Sequence, residues 1–402
     1  MTAGTHDAVV VGAGPAGSSA AVALAARGLC VLLLDKAQFP REKTCGDGLT
    51  PRAVAALREM GVFDRLRYAA EPIARVDVVA PDGAAVTAAV PAPGMAVVPR
   101  VHLDDAIRRR AVEAGASFDG GVRVDGIVRG DGGVTLRAAR GGRPATYRAR
   151  MAIVATGASL VLPRGLGAVP RLPAMMLAAR TYVARHAPRV EIRFAGVPLP
   201  GYGWIFPVTA SSANAGVGFA ARRRHARGAS SAREACERFL ETVEAPDRLD
   251  RSRPVEAIRS YPLRVDFPAS AVWADGVLFA GEAAGLVNPL TGEGIDYALE
   301  SGRIAADHAA AFLMNGDRSP GAFAAAGAAY ERTLRRRFER LFAVCRVLRD
   351  VSGRPAVLNR LVRAASHRDD FRMALVNVVL GHREPFGPGS VRAALARLTL
   401  AR

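Results

Sequence analysis

An α/β fold opening on a parallel βαβ unit is predicted by three features of residues 8–35. Ala8–Val11 is a short apolar run of strand type. Gly12-Ala13-Gly14-Pro15-Ala16-Gly17 follows at once and leads into an apolar-periodic segment through Ala20, Leu24 and Ala25. Val31–Leu34 is a second strand run ending on Asp35, 18 residues beyond Gly17. This order and spacing describe a Rossmann-type dinucleotide-binding unit. Gly12 permits the tight turn, Gly14 lets the backbone approach a pyrophosphate, and Gly17 lets helix and strand pack closely. The helix start, entered through Pro15, receives the negative charge. Asp35 can accept hydrogen bonds from both ribose hydroxyls, and Ala13, Ala16 and Lys36 complete the candidate contacts. The motif indicates FAD or NAD without choosing between them.

Composition bounds the rest. The chain has 402 residues, half of them hydrophobic and 23% charged, which suits two or three globular domains. Disordered, collagenous and disulfide-stapled classes are excluded. Basic residues outnumber acidic ones by 55 to 37, a net charge of +18. Only Lys36 and Lys43 are lysines, so part of the excess reflects an Arg- and Ala-rich habit and does not indicate nucleic acid. Residues 331–402 hold 16 arginines against 6 acidic residues, which locates the basic character. Cys30, Cys45, Cys236 and Cys345 show no metal spacing, which implies a reducing compartment and no zinc site. The longest uncharged stretch, Ala8–Ala26, has 19 residues. Its glycines and Pro15 make it a strand, turn and helix rather than a membrane span or signal peptide. A cytoplasmic protein is expected.

Further along, Arg41-Glu42-Lys43-Thr44-Cys45-Gly46-Asp47-Gly48 reads as a loop approaching a flat ligand. Thr50 and Pro51 after it read as N-cap and first helical residue. Val277–Gly285 is a strand running into a turn that contains Gly281 and Glu282. Asn288-Pro289-Leu290-Thr291-Gly292-Glu293-Gly294-Ile295 then opens a helix with Ala298, Gly302 and Ala305 on one face. A helix start aimed at an isoalloxazine would stabilise negative charge on the reduced ring. An acid near Gly281 could bind the ribityl chain.

These residues resemble the geranylgeranyl reductase family, a branch of the flavoproteins of p-hydroxybenzoate-hydroxylase type. The family signature Tyr-x-Trp-x-Phe-Pro reads Tyr202-Gly203-Trp204-Ile205-Phe206-Pro207, with Gly216-Val217-Gly218 following after eight residues. The Cys45–Gly48 loop and Asn288–Ile295 also match. Thr44–Val54, Leu199–Pro207 and Asn288–Tyr297 look especially like the actinobacterial reductases of menaquinone side chains. The resemblance covers roughly residues 7–310. Two positions depart from the pattern: Glu282 stands where the family usually has aspartate, and Thr156, before Gly157, where aspartate is often seen.

The resemblance implies an FAD-binding domain at 1–72, 97–164 and 262–330, interleaved with an antiparallel-sheet substrate domain at 73–96 and 165–261. A basic helical region at 331–402 completes the chain. It implies FAD contacts from Thr44, Cys45, Gly46, Asp47, Gly157, Gly281, Glu282, Gly292, Gly294 and Ile295. Val124, on the strand Val122–Ile127, is a backbone candidate beside the adenine. Arg100 either faces the flavin or makes a salt bridge on its own helix. Tyr202, Trp204, Phe206 and Pro289 are substrate-binding candidates, the aromatics being otherwise plain core. Cys45 and Tyr202 are the candidate proton donors, with Cys45 otherwise a small packing residue. The run Arg222-Arg223-Arg224-His225 reads as a solvated loop.

The function so implied is FAD-dependent reduction of double bonds in an isoprenoid chain. The alternatives are a flavin monooxygenase or tailoring oxidoreductase of a secondary pathway, and a non-catalytic isoprenoid carrier. One dinucleotide fingerprint is present, so NAD(P)H or another reductant would deliver electrons transiently. Leu334, Phe338, Leu341, Phe342, Cys345 and Leu348 share one helical face, with arginines over most of the remainder. Such a helix either docks peripherally on an anionic membrane, at its inner face, or packs its stripe on the flavin domain.

Overall fold

The computed structural model describes residues 6–66, 69–130, 132–184, 189–221, 231–243, 255–317 and 319–380. The predicted parallel unit forms its centre. His6–Val11 lies between Val31–Asp35 and Arg143–Val154, parallel to both. Ser117–Gly120 and Val277–Phe279 extend the sheet, also in parallel. Every residue of Val31–Asp35 is buried, which is why its sequence is a continuous apolar run rather than an alternating one. Val122–Gly130 and Gly133–Arg140 form an antiparallel ribbon that leads into Arg143–Val154.

The helix Pro15–Ala25 packs along the helix Ile295–Met314. Gly302 makes this approach feasible, because a Cβ there would strike the Ala16 carbonyl. Ser19 Oγ donates to the Leu299 carbonyl at 2.8 Å and ties the two helices together. Residues separated by most of the chain thereby share one core, and both helix starts face the same region.

The second large sheet has seven strands. Its order is Arg259–Arg264, Met175–Ala184, Ser212–Ala220, Gly201–Thr209, Val190–Arg193, Arg75–Val79 and Ala85–Ala89. All neighbours are antiparallel except Val190–Arg193 with Arg75–Val79. The edge strand Arg259–Arg264 crosses the boundary expected at 261, because its pairing with Met175–Ala184 continues to residue 264. A small sheet of Gly48–Leu49, Met95–Val97 and Glu71–Ile73 sits beside it.

From residue 320 to residue 380 the described chain is mainly helical: Pro320–Leu334, a π-helical turn at Arg335–Glu339, Arg340–Ser352, Pro355–His367 and Asp369–Val379. Of the two readings of its apolar stripe, the structure takes packing. Leu334, Phe338, Leu341, Phe342 and Cys345 are all buried in the core of the parallel sheet, and Leu348 is half-buried. Phe338 and Phe342 meet the Tyr297 ring edge-on at 5.7 and 5.1 Å. An apolar face spent in this way is not open to a bilayer. Residues 381–402 and the run Arg222–His225 lie outside the described residues.

Candidate flavin and substrate cavity

A cavity of about 850 Å³ is lined from both large sheets. Its first part is the predicted dinucleotide turn, with Gly12, Gly14, Pro15, Ala16, Asp35 and Lys36 on its wall. Gly12 has φ +103°, and a Cβ there would strike the Ala155 carbonyl. A Cβ on Gly17 would strike the Gly12 carbonyl, so Gly17 serves packing and does not line the cavity. Gly14 differs from both. A Cβ on it would meet only Arg41 Nη2, at 3.6 Å, so nothing in the protein demands a glycine there. Asp35 accepts from the Ala13 and Ala37 N–H groups at 2.8 and 2.9 Å, which fixes the turn while its carboxylate edge stays on the cavity.

Two polar atoms on this wall, Arg41 Nη1 and Thr156 Oγ1, are buried without a hydrogen-bond partner. An open glycine at a helix start and unpaired donors around it fit a bound dinucleotide such as FAD. Val124 and Gly157 also line the cavity. Ala13, Gly281 and Pro289 do not. Gly281 has φ +61° and its N–H donates to Ser301 Oγ at 2.9 Å, so its duty is in the turn.

The loop 41–48 covers the middle of the cavity. Thr50 caps the following helix Pro51–Glu59 by accepting from the Ala53 N–H at 3.2 Å. Gly46 and Gly48 let the loop lie against the aromatic strand: added Cβ atoms would come within 3.2 Å of Trp204 and 2.9 Å of Phe206. Asp47 adopts φ +64°, the left-handed region. Its Oδ2 accepts from the Tyr182 hydroxyl at 2.6 Å and from Asn214 Nδ2 at 2.8 Å. Asn214 Oδ1 in turn accepts from Trp204 Nε1 at 2.9 Å. This network fastens the loop to the second sheet.

Tyr202, Trp204 and Phe206 occupy alternate positions of Gly201–Thr209, so all three rings share the cavity face. Consecutive ring centroids stand 6.0 and 6.2 Å apart. The Tyr202 hydroxyl donates to the Thr291 carbonyl, which links the aromatic strand to the loop holding Gly292, Gly294 and Ile295.

Burial dominates the electrostatics. Arg100 lines the cavity and holds Asp104, four residues on in its own helix, through Nε at 2.7 Å and Nη2 at 2.8 Å. Burial opposes its charge, but Asp104 and the Cys45 sulfur outweigh it and keep the guanidinium firmly protonated. Burial raises the Cys45 thiol above its usual range, against the pull of Arg100. It pushes Asp47 up to about 6, opposed by the Tyr182 and Asn214 hydrogen bonds. It pushes Lys43 down to about 8, helped by Arg100; the Lys43 ammonium lies 3.1 Å from the Tyr261 ring centroid. Glu293 is pushed up to about 8 by burial and then by Asp296.

Glu282, the longer acid in place of the family aspartate, reaches back to the protein. Its Oε1 accepts from the Arg264 N–H at 3.0 Å and its Oε2 from the Tyr261 hydroxyl at 3.4 Å. Sequence reasoning did not single out Arg41, Lys43, Arg180, Tyr182, Asn214, Tyr261 or Glu293. Arg41, Lys43 and Glu293 stand inside the quoted motifs with nothing there to mark them; the others are brought in by sheet pairing.

Comparison with known proteins agrees with this geometry. The FAD binding domain family matches residues 5–328. The menaquinone reductase of Mycolicibacterium smegmatis is 37% identical over 332 residues, 75% of each chain. Digeranylgeranylglycerophospholipid reductase 1 of Methanopyrus kandleri is 35% identical over 325 residues, 78% of this chain and 82% of its own. A geranylgeranyl bacteriochlorophyll reductase-like protein of Thermoplasma acidophilum shares the fold, with TM-score 0.78 and 24% identity over 90% of this chain and 92% of that one. The chain therefore belongs to the FAD-binding flavoprotein family that includes the menaquinone and geranylgeranyl reductases, and it is an FAD-dependent oxidoreductase.

Proposed function

We propose that the protein reduces carbon–carbon double bonds of an isoprenoid chain of the menaquinone or geranylgeranyl type. One observation carries the reading: a single cavity runs from the open Gly14 to the Tyr202, Trp204 and Phe206 rings. Dinucleotide and apolar substrate can therefore meet without crossing solvent.

An isolated alkene is electron-rich and resists hydride alone, so a proton must reach one carbon as hydride reaches the other. Bound FAD supplies the hydride from its reduced ring. The chain supplies dryness and the proton. Trp204, Phe206, Met176 and Leu263 wall the cavity with apolar surface that excludes water. Cys45, Tyr202 and Glu293 all hold a proton there at neutral pH, because burial raises each of them. The Tyr202 proton is engaged on the Thr291 carbonyl. Glu293, about 8, is the strongest acid of the three, and we assign it the donor role beside the two donors read from the sequence.

NAD(P)H or another reductant, bound transiently, would supply the electrons. The substrate enters at a membrane surface, with the protein at its inner face. One patch, on a face other than the packed stripe, supports this contact: Val347 and Val351 are 59% and 41% exposed one turn apart, beside the exposed Arg346. No helix among the described residues is long and apolar enough to cross a membrane.

The test is anaerobic. Holoenzyme with reduced flavin is mixed with polyprenyl diphosphates, geranylgeranyl lipids or saturated lipid controls, none of which carries a quinone ring to take the electrons, and flavin reoxidation is followed by absorbance. Reoxidation by the unsaturated isoprenoids alone is the expected result. Reoxidation by none of them would remove the reading.

A further inference from the structure

The cavity face of the seven-stranded sheet carries an ordered row. Strand register sets Tyr202 opposite Gly218, Gly218 opposite Ala178, and Ala178 opposite Tyr261. All four line the cavity. Two small residues between two tyrosines leave a slot, whose flanking strands stand about 14 Å apart at ordinary sheet spacing. Gly218 is not required by the protein itself. A Cβ there would meet only the Trp204 ring, at 3.7 Å, and its backbone is not left-handed. Gly216, two residues earlier, contrasts with it, since a Cβ there would come within 2.8 Å of Arg180 Cβ and strike the Ala179 carbonyl. The space above Gly218 is therefore left for a ligand.

A second observation points the same way. Arg180, two residues along the strand from Ala178, is 1% exposed and lines the cavity, yet its Nε and Nη2 have no hydrogen-bond partner. Its Nη1 is held by Glu256, and Glu42 stands 3.6 Å from Nη2, too far for a hydrogen bond. Arg259, opposite Arg180 in the sheet, lies 3.8 Å from Glu256. Two arginines thus face two carboxylates, and the site offers free donors with little net charge. Such a site suits a neutral oxygen acceptor better than a multiply charged anion.

We propose that Arg180 donates a hydrogen bond to a neutral head-group oxygen of the substrate, while the adjoining isoprene units lie in the slot over Gly218 and Ala178. The proposal rests on the isoprenoid reading above and adds which end of the substrate is held, and by what. A quinone or ester carbonyl provides the matching chemistry.

The experiment measures equilibrium binding to oxidised holoenzyme, by perturbation of the flavin absorbance, and then anaerobic turnover. The ligands are a menaquinone, a polyprenyl diphosphate and an unsaturated isoprenoid hydrocarbon without a head group. Arg180→Met should weaken menaquinone binding at least tenfold, mainly in KM, and hydrocarbon binding less than twofold. Arg180→Lys should recover part of the loss. Gly218→Val should weaken menaquinone and hydrocarbon alike while Arg180 stays in place, which keeps the test available if Arg180→Met fails to fold. Equal losses for headed and headless ligands in a folded Arg180→Met protein would overturn the proposal. So would unchanged menaquinone binding, or a larger loss for the diphosphate than for the menaquinone. If no isoprenoid binds the wild-type protein, the isoprenoid reading itself fails; a wild type that binds them with no Arg180 effect refutes only this proposal.

Discussion

Gly14→Val separates a glycine kept for the ligand from glycines kept for the fold. A Cβ at Gly14 has 3.6 Å of clearance to Arg41 Nη2, which ends a flexible side chain, so the apoprotein can accommodate valine. The remaining cost is the poorer N-cap, about 1 kcal/mol. Gly14 is the N-cap of Pro15–Ala25, and that helix has no side-chain cap to lose. The effect on FAD should be larger. Valine methyl groups would occupy the surface against which the pyrophosphate approaches, displacing it from the helix-start N–H groups. Two charge-assisted hydrogen bonds at about 1.5–3 kcal/mol each give a loss of roughly 3–6 kcal/mol. That corresponds to a Kd weakened by about a hundredfold to ten-thousandfold. Gly17→Val, by contrast, drives a side chain into the Gly12 carbonyl and should not fold. The assay is flavin absorbance per chain after purification, with calorimetric melting of the stripped wild-type and Gly14→Val proteins. Gly14→Val should melt within a few degrees of the stripped wild type and carry little flavin. Full flavin content in Gly14→Val, or a stable Gly17→Val protein, would refute the reasoning.

Trp204→Ala should weaken substrate binding by about 1–3 kcal/mol, because the buried ring walls the cavity; normal turnover in a folded variant would return the ring to plain core. Phe338→Ala should cost about 3–5 kcal/mol of stability, since the ring is fully buried between Tyr297 and Phe342. Chemical denaturation checks this, and an unchanged midpoint would free the stripe for another role. Asp47→Asn should stabilise the fold at pH 8. The folded pKa of Asp47, about 6, lies above its ordinary 3.8, so the neutral acid's contribution is complete below 3.8 and lost as pH rises through 6. Asparagine retains that contribution, a gain of up to about 3 kcal/mol above pH 6, and a less stable variant at pH 8 would contradict it. Glu293→Gln should slow anaerobic flavin reoxidation by isoprenoid by about a hundredfold or more. The wild-type rate should fall as pH rises through about 8, where Glu293 loses its proton, and the variant should lack that limb. A wild-type rate that stays flat across that pH would remove Glu293 as donor.

The sequence exposed what is local along the chain. Val31–Asp35 is buried at every position, so its apolar run and terminal acid are visible together. Gly12, Gly14 and Gly17 fall within six residues of one another, and their different duties follow from one turn. Tyr202, Trp204 and Phe206 alternate on one strand, so their common face follows from the period of two. The Asp47 network is another matter. Tyr182 and Asn214 lie 135 and 167 residues from Asp47 along the chain, and only sheet register brings them to it. Nor does an arginine among 53 announce that its Nε will be buried and unpaired, as that of Arg180 is. The C-terminal stripe was readable as an amphipathic face, but what covers it depends on Phe267 and Tyr297, which come from other elements. Glu282 is a further case: its carboxylate accepts from the Arg264 N–H, a partner that spacing does not reveal.

The most direct test of reductase chemistry is the mass of the product formed from an unsaturated isoprenoid, with and without oxygen. Reduced holoenzyme is incubated with a geranylgeranyl lipid and, separately, with menaquinone whose ring is chemically reoxidised to the quinone before weighing, anaerobically and in isotopically labelled oxygen. Reduction of a double bond predicts a product two hydrogens heavier, formed without oxygen and free of the oxygen label. A product one labelled oxygen heavier, formed only in the presence of oxygen, would contradict the account and make the protein a monooxygenase.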